Sequence, residues 1–361
     1  MNASTDASTM IFGTLGARLT ELAESIATAP DVAVLVRLTP EIRDIVAGLV
    51  AGDAGAGLAS RVMTDLNDRI AQRVIVIVGK AHRLPAAPWC WLAFGSEGRG
   101  EQTFVTDQDN GLMFSADGAT ETRALRHLFL PFASAVNEAL ATCGFSLCAG
   151  EVMAGNPAWC LSLDEWRERF SAWIRTPDPQ ALLNATIFFD FRAICCDAGL
   201  ASELRKYLLG FTAANDAFIR MMAGNALAVS PPLGLLGDID ADDAAGGIDL
   251  KKQGARLFVD AARIFALAAG LAPVGTIARL HAAAQVGKIG AADAKAAVQA
   301  FECLQRMRLD TQAGALASGR TPGNHVRRDD LNEFERRALK ASLQQARRLQ
   351  QQMKLIFRVD A

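Results

Sequence analysis

The chain lacks any strong excess of charge. Its 37 lysines and arginines against 39 aspartates and glutamates leave a formal charge of −2. Non-specific nucleic-acid binding needs a basic field, so bulk DNA or RNA is excluded as a substrate. A C-x-x-C pair is also missing. The seven cysteines, Cys90, Cys143, Cys148, Cys160, Cys195, Cys196 and Cys303, form an odd set in a chain far too long to need a disulfide frame. They are expected to be buried thiols in a reducing cytoplasm. The four histidines, His82, His127, His281 and His325, show no metal-ligand spacing, and none is assigned to catalysis. No basic region leads into an apolar stretch at the amino terminus, so no secretory signal is expected. Nor is a membrane partner expected: the most apolar run, residues 264–278, is short of a span and is interrupted by Pro273. It should fold as core helix, turn and core helix.

What is present is ample core material, 51% hydrophobic residues in a chain of 361, enough for two or three domains. The most informative stretch is Gly95-Ser96-Glu97-Gly98-Arg99-Gly100-Glu101 followed by Thr106-Asp107-Gln108-Asp109. Residues 89–94, an apolar and aromatic run, end at Gly95 as a buried strand should. Gly95 permits a sharp turn, and Ser96 then offers a hydroxyl and an amide to phosphate oxygens. Ten residues separate Ser96 from Asp107, where residues 107–114 suggest a second strand. Asp107 and Asp109, two apart on a strand, would share a face. Paired carboxylates repel unless a cation lies between them, and Mg²⁺, bridging one or two carboxylates to substrate phosphates, suits the pair. Arg99 would complete the phosphate cradle. A lone Gly-Ser or a lone Asp-x-Asp is usually an ordinary turn or strand end; the two together, between strands, point to a metal-dependent nucleotide site.

Gly-Ser, ten residues, then Asp-x-Asp resembles the signature of the polymerase β-like nucleotidyltransferase superfamily. Residues 91–114, WLAFGSEGRGEQTFVTDQDNGLMF, are similar to the nucleotidyltransferase family usually found behind CBS and cyclic-nucleotide-binding domains in bacterial signalling proteins. That family is related to the amino-terminal domain of the uridylyltransferase that modifies the PII signal protein. Residues 152–159, 188–192 and 248–251 resemble the family too. The resemblance implies that Gly95 and Ser96 bind the triphosphate and that Asp107 and Asp109 bind Mg²⁺ or Mn²⁺, with a nucleoside triphosphate as substrate and a protein as acceptor or regulatory partner. In many superfamily members a third carboxylate stands on the next strand. Residues 145–153 supply only Glu151, which is either that ligand or a plain strand-end residue.

The implied fold is α+β: a helical segment over residues 1–83, a small mixed-sheet nucleotidyltransferase core over 84–197, and an all-helical domain over 198–361 that closes the pocket. Helical periodicity predicts helices over Asp31–Ala51 and Leu58–His82, and the pattern of the central region places a further helix over Thr120–Cys143. No room remains before residue 60 for a CBS pair, so sensing is expected from a partner or from the short amino-terminal segment. The five tryptophans, all between residues 89 and 173, are expected in the core. Asp190 and Arg192 are placed in an apolar helix, each with its own buried partner. Lys251, among positive charges at a helix start where the dipole disfavours them, is a candidate phosphate contact. The acidic run Asp238–Asp243 has the wrong residues for a calcium loop. Asp330 and Glu333 are expected to cap the last helix. A non-catalytic nucleotide sensor is the second reading, and a sugar-nucleotide transferase is disfavoured because its Asp-x-Asp follows no such turn.

Overall fold

The structure is a computed structural model that describes residues 3–52, 55–234, 238–240 and 247–359. Asp242 and Asp243 of the acidic run lie outside the described residues. The centre is a four-stranded sheet in the order β3-β2-β1-β4, built from β1 (Trp89–Ala93), β2 (Asn110–Phe114), β3 (Cys160–Ser162) and β4 (Arg192–Cys196). β1 runs antiparallel to β2 and β4, while β2 and β3 are parallel.

Side chains on a strand alternate between faces, and here both faces are dry. Cys90, Leu92 and Met113 enter one core, shared with the helices that follow the sheet. Trp91, Ala93, Leu112 and Phe114 enter the other, shared with α1 (Ala3–Thr28), α2 (Val32–Ala51), α3 (Ala56–Gly79) and α5 (Gly118–Thr142). A strand buried on both faces reads as a continuous apolar run, which is why residues 89–94 looked like one. The tryptophans serve these cores: Trp91, Trp166 and Trp173 are buried, and Trp89 and Trp159 pack against them.

Beyond the sheet lie α6 (Leu163–Arg175), α7 (Pro179–Phe188), α8 (Ala198–Ala213), α9 (Asp216–Leu227), α10 (Arg256–Ala268), α11 (Thr276–Gln285), α12 (Ala291–Ala317) and α13 (Glu333–Phe357). Every residue of α10 from Leu257 to Leu267 is buried, so this helix is the axis of the carboxyl-terminal half. It leads through a turn into α11, as the sequence predicts. Along α13, Leu339, Leu343, Leu349 and Met353 are buried, contributing on the order of 2 kcal/mol each. α12 packs on α13 and also on α2 and α3, tying the two ends of the chain together.

Several expectations need correction. An additional helix, α1, precedes the two expected ones. The strand expected over residues 145–153 is an irregular loop with a single bridge, Ser146 to Asp107; the third strand comes later, at Cys160–Ser162. Asp190 and Arg192 are not on a helix: α7 stops at Phe188, and Arg192 begins β4. The cap of α13 is Asn332, in a reciprocal box with Glu335, two residues past the expected pair. The carboxyl-terminal half is not purely helical, since Ile248–Asp249 and His325–Val326 pair as β5 and β6. All seven cysteines are free, but Cys196 is exposed and Cys148, Cys195 and Cys303 are only half-buried. Among the described residues no helix is long and apolar enough to cross a membrane.

Candidate active site

β1 delivers the chain into a one-turn helix, α4 (Gly95–Gly98). The turn closes through Gly98 N–H to the Phe94 carbonyl at 2.9 Å and Arg99 N–H to the Gly95 carbonyl at 3.0 Å. Two of its glycines are obligatory. Gly95 has φ +55°, and a Cβ there would stand 3.1 Å from Asp109 Oδ2. A Cβ on Gly98 would overlap the Asp190 carbonyl at 2.0 Å.

Asp107 and Asp109 precede β2 in extended backbone rather than lying on the strand. Their shared direction is fixed by the residues between and after them. Gln108 and Asn110 point inward and are buried. Gln108 Nε2 donates to the carbonyls of Asn137 and Phe145 at 2.9 and 3.1 Å, and Asn137 Nδ2 donates to Gln108 Oε1 and Asn110 Oδ1 at 2.8 and 2.9 Å. With the amides locked inward, period-two alternation sends both carboxylates outward, Asp107 exposed and Asp109 half-buried. Burial raises the Asp109 pKa above the usual carboxylate value; a Cys148 hydrogen bond and the charges of Lys251 and Arg99 oppose the rise, while Asp107 adds to it. Its negative charge is therefore under-compensated by the protein. Glu151 sits exposed in a turn with φ 55°. Among the described residues no three His, Cys, Asp or Glu side chains form a group that could hold a metal ion, so Glu151 does not complete a cluster with Asp107 and Asp109.

Beside the turn lies a cavity of about 250 Å³ bordered by Ser96, Arg99, Lys251, Lys252, Arg256 and Arg308, with Glu101 and Asp260 on its wall. The Asp249 carboxylate occupies the amides of Lys251 and Lys252 at 2.9 Å each, capping the segment that leads into α10, and both lysine side chains border the cavity. A wider groove of about 640 Å³ between α1 and α3 is bordered by Glu24, Arg61, Asp65 and Arg69 and by no residue of the turn or the carboxylate pair.

Arg99 is held from behind. Its Nε donates to Glu101 Oε2 and its Nη1 to Asp190 Oδ2, both at 2.7 Å. Asp190, fully buried, also receives Arg263 through Nε at 3.0 Å and Nη2 at 2.7 Å, and Arg279 Nη1 at 2.6 Å. Burial alone would raise the Asp190 pKa; the charges of Arg263, Arg279 and Arg99 overcome it and hold this carboxyl well below the usual range. Arg192 is paired separately, in a two-pronged bridge to Asp68 of α3 at 2.6 and 3.1 Å. The two residues thus have separate partners as expected, but Asp68 is only half-buried. Sequence reasoning did not find Arg263, Arg279 or Arg308; an arginine inside an apolar run such as residues 257–267 was the available signal.

A Gly-Ser turn, a carboxylate pair facing outward and a basic cavity, on a small mixed sheet backed by helices, define a nucleotidyltransferase-type core. The family model described as "Putative nucleotidyltransferase DUF294" matches residues 40–180, and its companion, "Putative nucleotidyltransferase substrate binding domain", matches residues 216–357. The chain belongs to this nucleotidyltransferase family. The first match begins inside α2, so helices before the sheet are part of the family's own domain. No curated protein matches the chain.

Proposed function

We propose that the protein transfers a nucleoside monophosphate from a nucleoside triphosphate to a hydroxyl, with pyrophosphate leaving, and that the acceptor hydroxyl belongs to a signalling protein of the PII type. The observation that carries the reading is the close approach of Asp109 Oδ2 to Gly95, which sets a carboxylate against the phosphate-type turn. The donor set fits a hard divalent cation: two oxygen-bearing side chains on one face, one of them under-compensated. Asp107 and Asp109 would hold Mg²⁺ or Mn²⁺, which supplies charge neutralisation on the phosphates. Ser96, with its hydroxyl and the amides of the turn, orients the triphosphate. Lys251 and the outer edge of Arg99 offset its negative charge, and Asp190 keeps the Arg99 fork in place so that little ordering is left for the moment of binding. Lys251 and residues of α10, within the match to the substrate-binding domain, line the cavity. The protein acceptor rests on the resemblance to the PII uridylyltransferase.

The test is label transfer in a lysate from each α-labelled ribonucleoside triphosphate, comparing wild type with the Asp107→Asn, Asp109→Asn double variant. A discrete protein band labelled by wild type alone supports the proposal and names both nucleotide and acceptor. A second reading, a nucleotide sensor without turnover, is favoured because no third carboxylate joins Asp107 and Asp109 among the described residues. Metal-dependent nucleotide binding with no transfer to protein or small molecule would select it.

A further inference from the structure

On the far side of the Arg99–Glu101 pair lies a second cavity, of about 330 Å³, that the nucleotide reading does not use. Its walls come from the start of α3, the residues after α4, the start of α11 and the middle of α12. Two residues of this wall, Ser60 and Thr276, carry hydroxyls that are buried and have no hydrogen-bond partner. Ser60 is 6% exposed and Thr276 0%. A buried hydroxyl left unpaired is costly, and two in one cavity call for an explanation.

The backbone around them has the same polarity. α11 begins at Thr276, and Ile277 and Ala278 of its first turn line the cavity. α3 begins at Ala56 with no side-chain cap, and Ala56 and Gly57 line the opposite wall. First-turn amides have no acceptor within their helix, and the positive ends of two helix dipoles therefore converge on one space. Arg61 adds a cationic side chain and His281 an imidazole at the rim, against one rim carboxylate, Glu302. The remaining carboxylate, Glu101, is spent: Oε2 accepts from Arg99 and Oε1 accepts from the Thr276 amide at 2.6 Å. Donors outnumber acceptors, and Phe301 and Ile277 supply apolar surface beside them.

We propose that this cavity is a binding site for a small anionic metabolite, its phosphate or carboxylate head received by the Ser60 and Thr276 hydroxyls and the first turns of α3 and α11, its body packed on Phe301. Glu101 joins α11 to Arg99, and this pair borders the triphosphate cavity as well. Binding of the anion itself does not depend on the transferase reading.

The test uses phenyl phosphate and benzoate as probes, titrated calorimetrically into the full chain. Saturable binding of at least one probe is expected, weakened about tenfold or more by Ser60→Ala with Thr276→Val. Neither substitution removes a hydrogen bond made in the unbound protein, so the melting temperature should stay level or rise. Lys251→Ala with Lys252→Ala, in the other cavity, should leave probe binding unchanged. Loss of binding in the lysine variant with full retention in the hydroxyl variant would place the anion in the triphosphate cavity and overturn the proposal. Failure of both probes to bind wild type saturably would overturn it equally.

Discussion

Arg99 Nη1 donates to Asp190 Oδ2 at 2.7 Å, across 91 residues of chain. The Asp190 carboxylate takes two further guanidiniums from the other domain, Arg263 and Arg279, and so joins the Gly-Ser turn to α10 and α11. Removing one member of a buried ion group leaves the others uncompensated. Asp190→Asn should therefore cost about 3–5 kcal/mol in urea unfolding. If the variant folds in stabilising osmolyte, its affinity for nucleoside triphosphate should also fall, because Arg99 has lost its brace. Wild-type stability in the variant would show that the arginines find other partners.

Lys251 is exposed, and its backbone holds structure: the amide donates to Asp249 and the carbonyl accepts from the Arg256 amide. Lys251→Ala should leave the melting temperature unchanged and weaken triphosphate binding by about tenfold, as loss of one charge-assisted contact does. The salt dependence of binding should shrink as well. A variant with unaltered affinity in calorimetry would remove Lys251 from the phosphate site.

Stability and activity should part at Asp109. Burial raises its pKa, so the ionised carboxylate opposes folding. The contribution is present below the unfolded value and declines as pH rises through the higher folded value. At neutral pH Asp109→Asn should be as stable as wild type or more so, while transfer drops by about 100-fold or more because charge neutralisation at the phosphates is lost. A variant that loses both properties would mark Asp109 as structural.

A similar sign applies to Glu97 behind the turn. Burial, with the nearby charges of Asp68 and Asp109, pushes its carboxyl up to about 8, against the pull of Arg192. The unfolded chain then releases this proton at lower pH than the folded one. Stability from Glu97 is full below the ordinary carboxylate pKa and is lost as pH rises through about 8. Glu97→Gln should flatten that decline, so that urea midpoints of variant and wild type diverge from about pH 5 to about pH 9. Parallel curves would contradict the assignment.

The sequence was most legible where local rules and global packing agree. The strand into Gly95 follows from an apolar run that stops at a glycine, and the helices α2, α3 and α5 from local pattern; their observed bounds differ from expectation by a few residues. The outward pairing of Asp107 and Asp109 was also readable, although the reason is tertiary: Gln108 and Asn110 are pinned by Asn137, 29 and 27 residues away. What could not be read are contacts made across the chain. Asp190 looked helical because Phe188, Phe189 and Phe191 are apolar at every spacing, and such a run carries no period. Its partners Arg263 and Arg279 are 73 and 89 residues distant. Glu151 was chosen as the only acid on an expected strand; the chain there turns instead, with the residue in left-handed backbone.

The most direct test of the central claim follows the fate of two phosphates. A single lysate is incubated with wild-type protein, Mg²⁺ and the preferred triphosphate labelled either at the α or at the γ position. Nucleotidyl transfer predicts that the acceptor protein keeps the α label and that the γ label appears in pyrophosphate. Retention of the γ label on the acceptor would mean phosphoryl transfer and would contradict the account.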